Sequence, residues 1–176
     1  MKVIIITGSV GTGKTALSKK LARAVRYIYI DANKIIKKYG LAEGYDRRRK
    51  SRLIATNNLS KALIGEIKIL GKNKSVNGVI IDSHLSHNLP PKYADLCIVT
   101  KCDLAALNRR LKRRGYGKAK VRENLDAEIF DVCLEEARKK GHNIIIVDTS
   151  KGINNNAFSL VSGWLKKKIW IGRQKS

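Results

Sequence analysis

Gly8-Ser9-Val10-Gly11-Thr12-Gly13-Lys14-Thr15 meets the pattern G-x-x-x-x-G-K-[ST] at every specified position. Glycines at this spacing let the backbone curl until successive N–H groups point at one anion, and a helix opening at the end of the loop adds its dipole. In such a loop the Lys14 ammonium reaches the β- and γ-phosphates of a nucleoside triphosphate, and the Thr15 hydroxyl holds Mg²⁺. The chemistry is phosphoryl transfer from ATP or GTP, with the acceptor left open.

Other residues could serve the same chemistry. Asp82 ends an apolar run, where a carboxylate can hold a water of the Mg²⁺ shell; the alternative is a helix-capping or ladder-end acid. His84 follows in Asp82-Ser83-His84. It could orient water near the γ-phosphate, or be a histidine of a surface loop. His87 and His142 are read as surface-loop histidines. Arg109, Arg110, Arg113 and Arg114 approach Gly115-Tyr116-Gly117. Guanidinium groups clamp phosphates and stack on bases, against the alternative of a solvated helix face, and Arg114 beside the glycine is the leading candidate. Arg47, Arg48, Arg49 and Arg52 could hold a second nucleotide's phosphate or rRNA. Glu123, Asp126 and Glu128 are expected to face solvent or pair with cations along a helix. Cys97, Cys102 and Cys133 lack metal-ligand spacing and read as free thiols, with Cys97 and Cys133 in the core.

The elements that must position these residues follow from apolar patterning. Lys2-Val3-Ile4-Ile5-Ile6-Thr7 is a buried strand that runs into the loop, and Ala16, Leu17, Leu21, Ala22 and Val25 give the helix after it. Further strands are expected at 27–30, 78–82, 95–100 and 143–148. Asp31 is placed to cap a helix through 33–38. Leu53, Leu59, Leu63, Ile67 and Leu70 read as one helical stripe ending at Gly71. Leu104, Leu107 and Leu111 form another, a further helix is expected over 118–140, and a last one carries Phe158, Leu160, Val161, Trp164 and Leu165. Apolar runs alternating with helices predict an α/β fold, a five-stranded parallel sheet flanked by helices, with ligands at the carboxyl ends of its strands. The chain of 176 residues is expected to form a single domain. Two irregular, arginine-rich stretches, 40–52 and 113–120, read as inserts resembling lids.

Thirty-seven Lys and Arg against 14 Asp and Glu give a formal charge of +23. Such an excess keeps a surface soluble and also attracts polyanions through counterion release, so nucleic acid is an expected partner. No apolar run reaches membrane-spanning length, and Met1-Lys2 precedes only four apolar residues. The expectation is a cytoplasmic protein without a membrane partner.

Taken together, the loop, Gly44-Tyr45-Asp46, Asp82-Ser83-His84, Arg114-Gly115-Tyr116, Glu123-Asn124 and Glu128-Ile129-Phe130 resemble the adenylate kinase isoenzyme six family, also known as coilin-interacting nuclear ATPases. The likeness runs to about residue 168, and the compact form suits an archaeal member. The resemblance implies a P-loop NTPase of adenylate-kinase type, with a monophosphate-binding insert at about 31–54 and a lid at about 113–123. It implies a broad-specificity adenylate kinase with ATPase activity, using ATP with Mg²⁺ and AMP or another nucleoside monophosphate. It also implies a role in small ribosomal subunit assembly and rRNA maturation, with a platform ribosomal protein and pre-ribosomal rRNA as partners. By family pattern Gly11, Gly13, Lys14, Thr15, Ala16 and Arg114 bind ATP; Asp82 and His84 serve the metal and the attacking water.

Two departures bear on the acceptor. Ordinary adenylate kinases carry Asp-Gly-[Phe/Tyr]-Pro-Arg at strand three, whose Arg grips AMP; here Asp82-Ser83-His84-Leu85-Ser86 has no Arg, which favours hydrolysis. The segment after Tyr45-Asp46 is basic where the family more often has acids, which favours RNA or ribosomal contact. The alternatives are a housekeeping nucleoside monophosphate kinase and a nucleotide-switched ribosomal-protein chaperone.

Overall fold

The computed structural model describes residues 1–46, 51–153 and 158–165, with backbone only at Ser51 and Arg52. In chain order its elements are β1 (Lys2–Thr7), α1 (Lys14–Val25), β2 (Ile28–Asp31), α2 (Ala32–Lys38), β3 (Ala42–Asp46), β4 (Ser51–Ile54), α3 (Thr56–Gly71) and β5 (Gly78–Asp82). Then follow β6 (Leu96–Lys101), α4 (Leu104–Arg113), α5 (Lys118–Ile129), α6 (Val132–Lys139) and β7 (Ile144–Asp148). A further helical stretch covers 158–165.

The expected sheet is present: five parallel strands in the order β2-β5-β1-β6-β7. Strand alternation explains why β1 is apolar throughout. Val3 and Ile5 enter the core beneath α2, α3 and α6, while Ile4 and Ile6 enter the core beneath α1. Ile4, Ile5 and Ile6 are fully buried, each stabilising by about 1.5–3 kcal/mol relative to exposure. Chain order reverses across β1, with β5 on one side and β6 on the other, so the loop after β1 lies where such sheets open a crevice. The β5–β2 register sets Asp82 level with Asp31, and the β1–β5 register sets it level with Ile6.

Three expectations are corrected. Residues 40–52, read as irregular, include an antiparallel pair, β3 with β4, bulged between Ala42 and Gly44. Leu53 therefore belongs to β4, half-exposed at 52%, and not to the stripe of α3. The single helix over 118–140 is two, broken at Asp131, whose φ is 52°. At the break the Glu128 carbonyl accepts from Asp131 N at 3.3 Å and from Lys101 Nζ at 2.9 Å, and Lys101 also pairs with Asp131, so the end of α5 is capped by a side chain from β6. The arginines at 47–49 and the tail from 166 lie outside the described residues. Among the described residues no helix is long and apolar enough to cross a membrane.

Candidate functional site

The loop between β1 and α1 is held from below by three threonines. Thr12 Oγ1 bonds the Ser9 carbonyl at 2.8 Å and meets Thr100 Oγ1 at 2.6 Å. Thr100 Oγ1 donates to the Thr7 carbonyl at 3.1 Å. Thr149 Oγ1 bonds the Thr12 carbonyl and reaches the Lys101 carbonyl at 2.9 Å. Gly8 and Gly11 adopt φ of 138° and 98°. A Cβ on Gly8 would lie 2.4 Å from Thr100 Oγ1, and one on Gly11 would lie 2.8 Å from Leu107 Cδ1. Glycine is thus required for the curl and also for close approach by β6 and α4. The buried stripe of α4 (Ala106, Leu107, Leu111) packs with Val10 and thereby fixes the arginines on its other face.

Above the loop lies a cleft of about 650 Å³, lined by Gly11, Gly13, Lys14, Thr15, Ala16, Asp82, His84 and Arg114, with Lys19, Asn33 and Tyr116 at its margins. The structure therefore brings together the eight residues that the family resemblance assigns to ATP, the metal and the attacking water, while Arg110 and Arg113 line the neighbouring cavity. A second cavity of about 430 Å³ shares Gly11, Gly13, Ala16 and Arg114 and continues toward Arg110, Thr149 and Ile153. Cleft and cavity follow the same loop, an arrangement long enough for polyphosphate in one part and a nucleoside in the other.

Lys14 Nζ donates to the carbonyls of Gly8 and Ser9, each at 2.8 Å. Burial pushes its pKa down to about 8, helped by Arg114 and opposed by Cys133, Asp82 and Glu128. Only the charged ammonium holds a phosphate. Nucleotide affinity should therefore stay level up to about pH 8 and then decline toward tenfold per pH unit as Lys14 loses its proton. Calorimetric titration with ADP across that range checks this, and an affinity level well into the alkaline range would refute it.

Asp82 is 5% exposed and accepts from the Tyr29 hydroxyl at 3.0 Å. Burial and the Asp82 charge raise the Tyr29 pKa, so the phenol remains a donor and holds one carboxylate oxygen. His84 stands on the turn after β5. That turn is pinned by Ser83 N and Ser86 Oγ, both donating to the Ile6 carbonyl, at 3.2 and 2.9 Å. The His84 side chain opens to the cleft on one side. His84 is exposed as a residue, but desolvation of its ring beside the cleft, and then the charges of Lys14 and His87, hold its pKa below the usual histidine value. The imidazole is neutral at physiological pH and is suited to orienting a nucleophile more than to storing its proton. Thr15 and Asp82 offer oxygen donors to the same cleft, a small set that fits Mg²⁺, which takes most of its ligands from phosphate and water.

The comparisons with known proteins cover most of the chain. The family described as AAA domain matches residues 4–131. A Thermococcus kodakarensis protein that carries an adenylate kinase name is 35% identical over 174 residues, 96% of this chain and 90% of that protein. The adenylate kinase isoenzyme six homologue of Dictyostelium discoideum is 31% identical over 169 residues, 93% of this chain and 91% of the homologue. The chain belongs to the adenylate kinase isoenzyme six family. Solved structures resemble it in fold alone: shikimate kinase of Acinetobacter baumannii (TM-score 0.56, 13% identity, 96% and 93% covered) and deoxyadenosine kinase of M. mycoides (0.53, 16%, 94% and 100%).

Within this family member, several residues depart from their sequence reading. His87 and His142 are not surface histidines; they are 1% and 8% exposed. His87 Nδ1 meets Thr7 Oγ1 at 2.7 Å, and its Nε2 meets Glu136 Oε2 at 2.6 Å. The Glu136 carboxylate can only accept, so Nε2 carries a proton, and burial lowers the His87 pKa. Glu128 does not face solvent: it is 5% exposed and accepts from Cys102 N at 2.9 Å, with Lys101 Nζ at 3.2 Å. Arg110 donates to the carbonyls of Thr149 and Ser150 at 2.6 and 3.1 Å, which commits it to the cavity wall. Cys133 is half-buried, and all three cysteines are free.

Proposed function

We propose that the chain is an ATP-dependent nucleotide kinase of adenylate-kinase type that also hydrolyses ATP. The observation that carries this is the convergence of Lys14, Thr15, Asp82, His84 and Arg114 on one cleft beside a nucleoside-sized cavity. The triphosphate lies along the loop; Lys14 and Arg114 offset charge that grows on the transferring phosphoryl group, since this reaction depends mainly on positioning and electrostatics. Thr15 and Asp82 hold Mg²⁺, which screens the phosphate oxygens when bound. Asn33 and Lys19 mark the side from which an acceptor monophosphate enters. The inserts at about 31–54 and 113–123 act as the monophosphate-binding flap and the lid.

The test follows ADP formation from ATP alone and from ATP with AMP. The reading expects product in both, with hydrolysis a real fraction because no arginine follows Asp82 where kinases grip AMP. No ADP in either assay would overturn it. His84→Ala should lower hydrolysis by about 10–10²-fold while ATP affinity stays within about threefold, because a nucleophile-orienting group acts in the transition state. Equal loss of binding and turnover would remove His84 from that role.

We further propose that this activity serves small ribosomal subunit assembly in the cytoplasm, with rRNA and a platform ribosomal protein as partners. The charge of +23 and the family resemblance support it. Recovery of a small-subunit protein or pre-rRNA from extract, dependent on ATP, is the expected result. An eluate holding neither would count against it.

A further inference from the structure

The acids of this chain are unevenly placed. The first is Asp31 and the last is Asp148. The fold packs the two acid-free ends together: Leu17, Leu21 and Ala22 of α1 share one core with Val161, Phe158 and Trp164 of the 158–165 helix. The helical layer over that sheet face is therefore built from segments with cations and no carboxylate, and the nearest acids are those at the strand ends, Asp82 on Tyr29 and Asp95 near Tyr27.

On that face α1 turns Lys19, Lys20 and Arg23 outward, with Arg26 beyond its end, all exposed. None of the four makes an ion pair among the described residues. Ala16 and Ala24 between them add no bulk, and two grooves flank the helix. One, of about 620 Å³, is walled by Lys20, Ala24 and Phe158; the other, of about 490 Å³, by Arg26, Tyr27 and Tyr29. Lys19 and Arg23 line both. Lys20 Nζ lies 5.0 Å from the Phe158 ring centroid and Lys19 Nζ 5.8 Å from that of Tyr29. The cations are thus held over rings beside troughs, whereas an ordinary solvated face carries both signs of charge.

We infer that this face binds the phosphate backbone of a single-stranded RNA, with α1 as the ridge that it follows. Uncompensated cations, held in place over half-buried rings, supply affinity by counterion release. The first groove shares Ala16 and Lys19 with the nucleotide cleft, so the strand would run to the mouth of the ATP site. The inference rests on the RNA part of the function proposed above. Nucleotide turnover is measured separately, so a failure of one is distinguishable from a failure of the other.

The test uses fluorescence anisotropy of a labelled single-stranded RNA of about 12 nucleotides. Lys20→Glu with Arg23→Glu alters cations that do not line the nucleotide cleft. Lys68→Glu with Lys72→Glu makes the same charge change at exposed positions at the end of α3, on the opposite sheet face. At ~0.1 M salt the α1 variant should lose tenfold or more in affinity, and its log K against log salt should be shallower by about 1.4, two phosphates at ~0.7 each. The α3 variant should lose less than about threefold, as a distant, screened change would. Both should form ADP from ATP at the wild-type rate. Should the acidic pair fail to fold, Arg23→Gln with Arg26→Gln removes two charges without adding any, and the same slope is read. Equal loss in both variants, wild-type binding by the α1 variant, or a preference for phosphatidylserine vesicles over RNA would overturn the assignment.

Discussion

Lys14→Ala is expected to lower phosphoryl transfer by about 10²–10³-fold, equivalent to ~3–4 kcal/mol of transition-state stabilisation. The ammonium is in the concave side of its own loop, on the carbonyls of Gly8 and Ser9, so its charge stands where the β- and γ-phosphate oxygens are proposed to lie. Burial that pushes its pKa to about 8 means that few other dipoles compensate it, and a charge in such surroundings interacts strongly with a phosphate. The fold should survive the change. A lysine pKa below its usual value means that the folded protein disfavours the charge, so deleting it relieves a cost. The expected pattern is a melting temperature no lower than wild type and near-complete loss of ADP formation. Lys14→Arg should not restore the rate, because a planar fork cannot occupy the compact position of an ammonium between two carbonyls. Wild-type turnover by the alanine variant would take the loop out of the chemistry.

How much of this was legible beforehand depended on whether a residue's partner lies nearby in sequence. The loop, its strand and its helix are contiguous, so glycine spacing and apolar periodicity declared them. The sheet was equally clear, because strands buried on both faces are apolar without interruption, as in Ile4-Ile5-Ile6 and Val79-Ile80-Ile81. The threonines under the loop were not. Thr100 and Thr149 lie far along the chain from Thr12, and nothing local to them signals that their hydroxyls meet it. Their only trace is a polar residue at the carboxyl end of an apolar strand. His87 was misread for the same reason: histidine is ambiguous locally, and its partners Thr7 and Glu136 come from β1 and α6. The helix break at Asp131 has no glycine or proline to mark it, and its partner Lys101 comes from β6, far away in sequence. Leu53 reads with the helix because it precedes the stripe by only a few residues, although six residues before Leu59 puts it off the helical phase and it belongs to the neighbouring strand.

Glu128 shows the most consequential of these hidden partnerships, and Glu128→Ala is expected to cost about 2–3 kcal/mol of stability. Its carboxylate accepts from Cys102 N, at the turn from β6 into α4, and its other partner is Lys101, whose side chain is a quarter exposed. Removing one member of a buried pair costs ~3–5 kcal/mol when the other is left enclosed and alone; Lys101 keeps Asp131 as a partner and is reached by water, which sets the lower figure. Cys102 N loses its acceptor as well. For a chain of this size the melting temperature should fall by roughly 5–10 °C, measured by calorimetry or circular dichroism. Glu128→Gln keeps an oxygen for Cys102 N and gives up only the charge, so it should lose about half as much. Alanine and glutamine variants melting together would show that the ion pair, and not the backbone bond, dominates; an unchanged alanine variant would show that neither matters. The distinction reaches the site. Glu128 ties the end of α5 to the start of α4, and α4 leads to Arg114 at the cleft. If the tie orders this elbow, Glu128→Ala assayed well below its melting temperature should lower kcat more than it raises the KM for ATP, since it displaces Arg114 from the transferring phosphoryl group and leaves Lys14 in place.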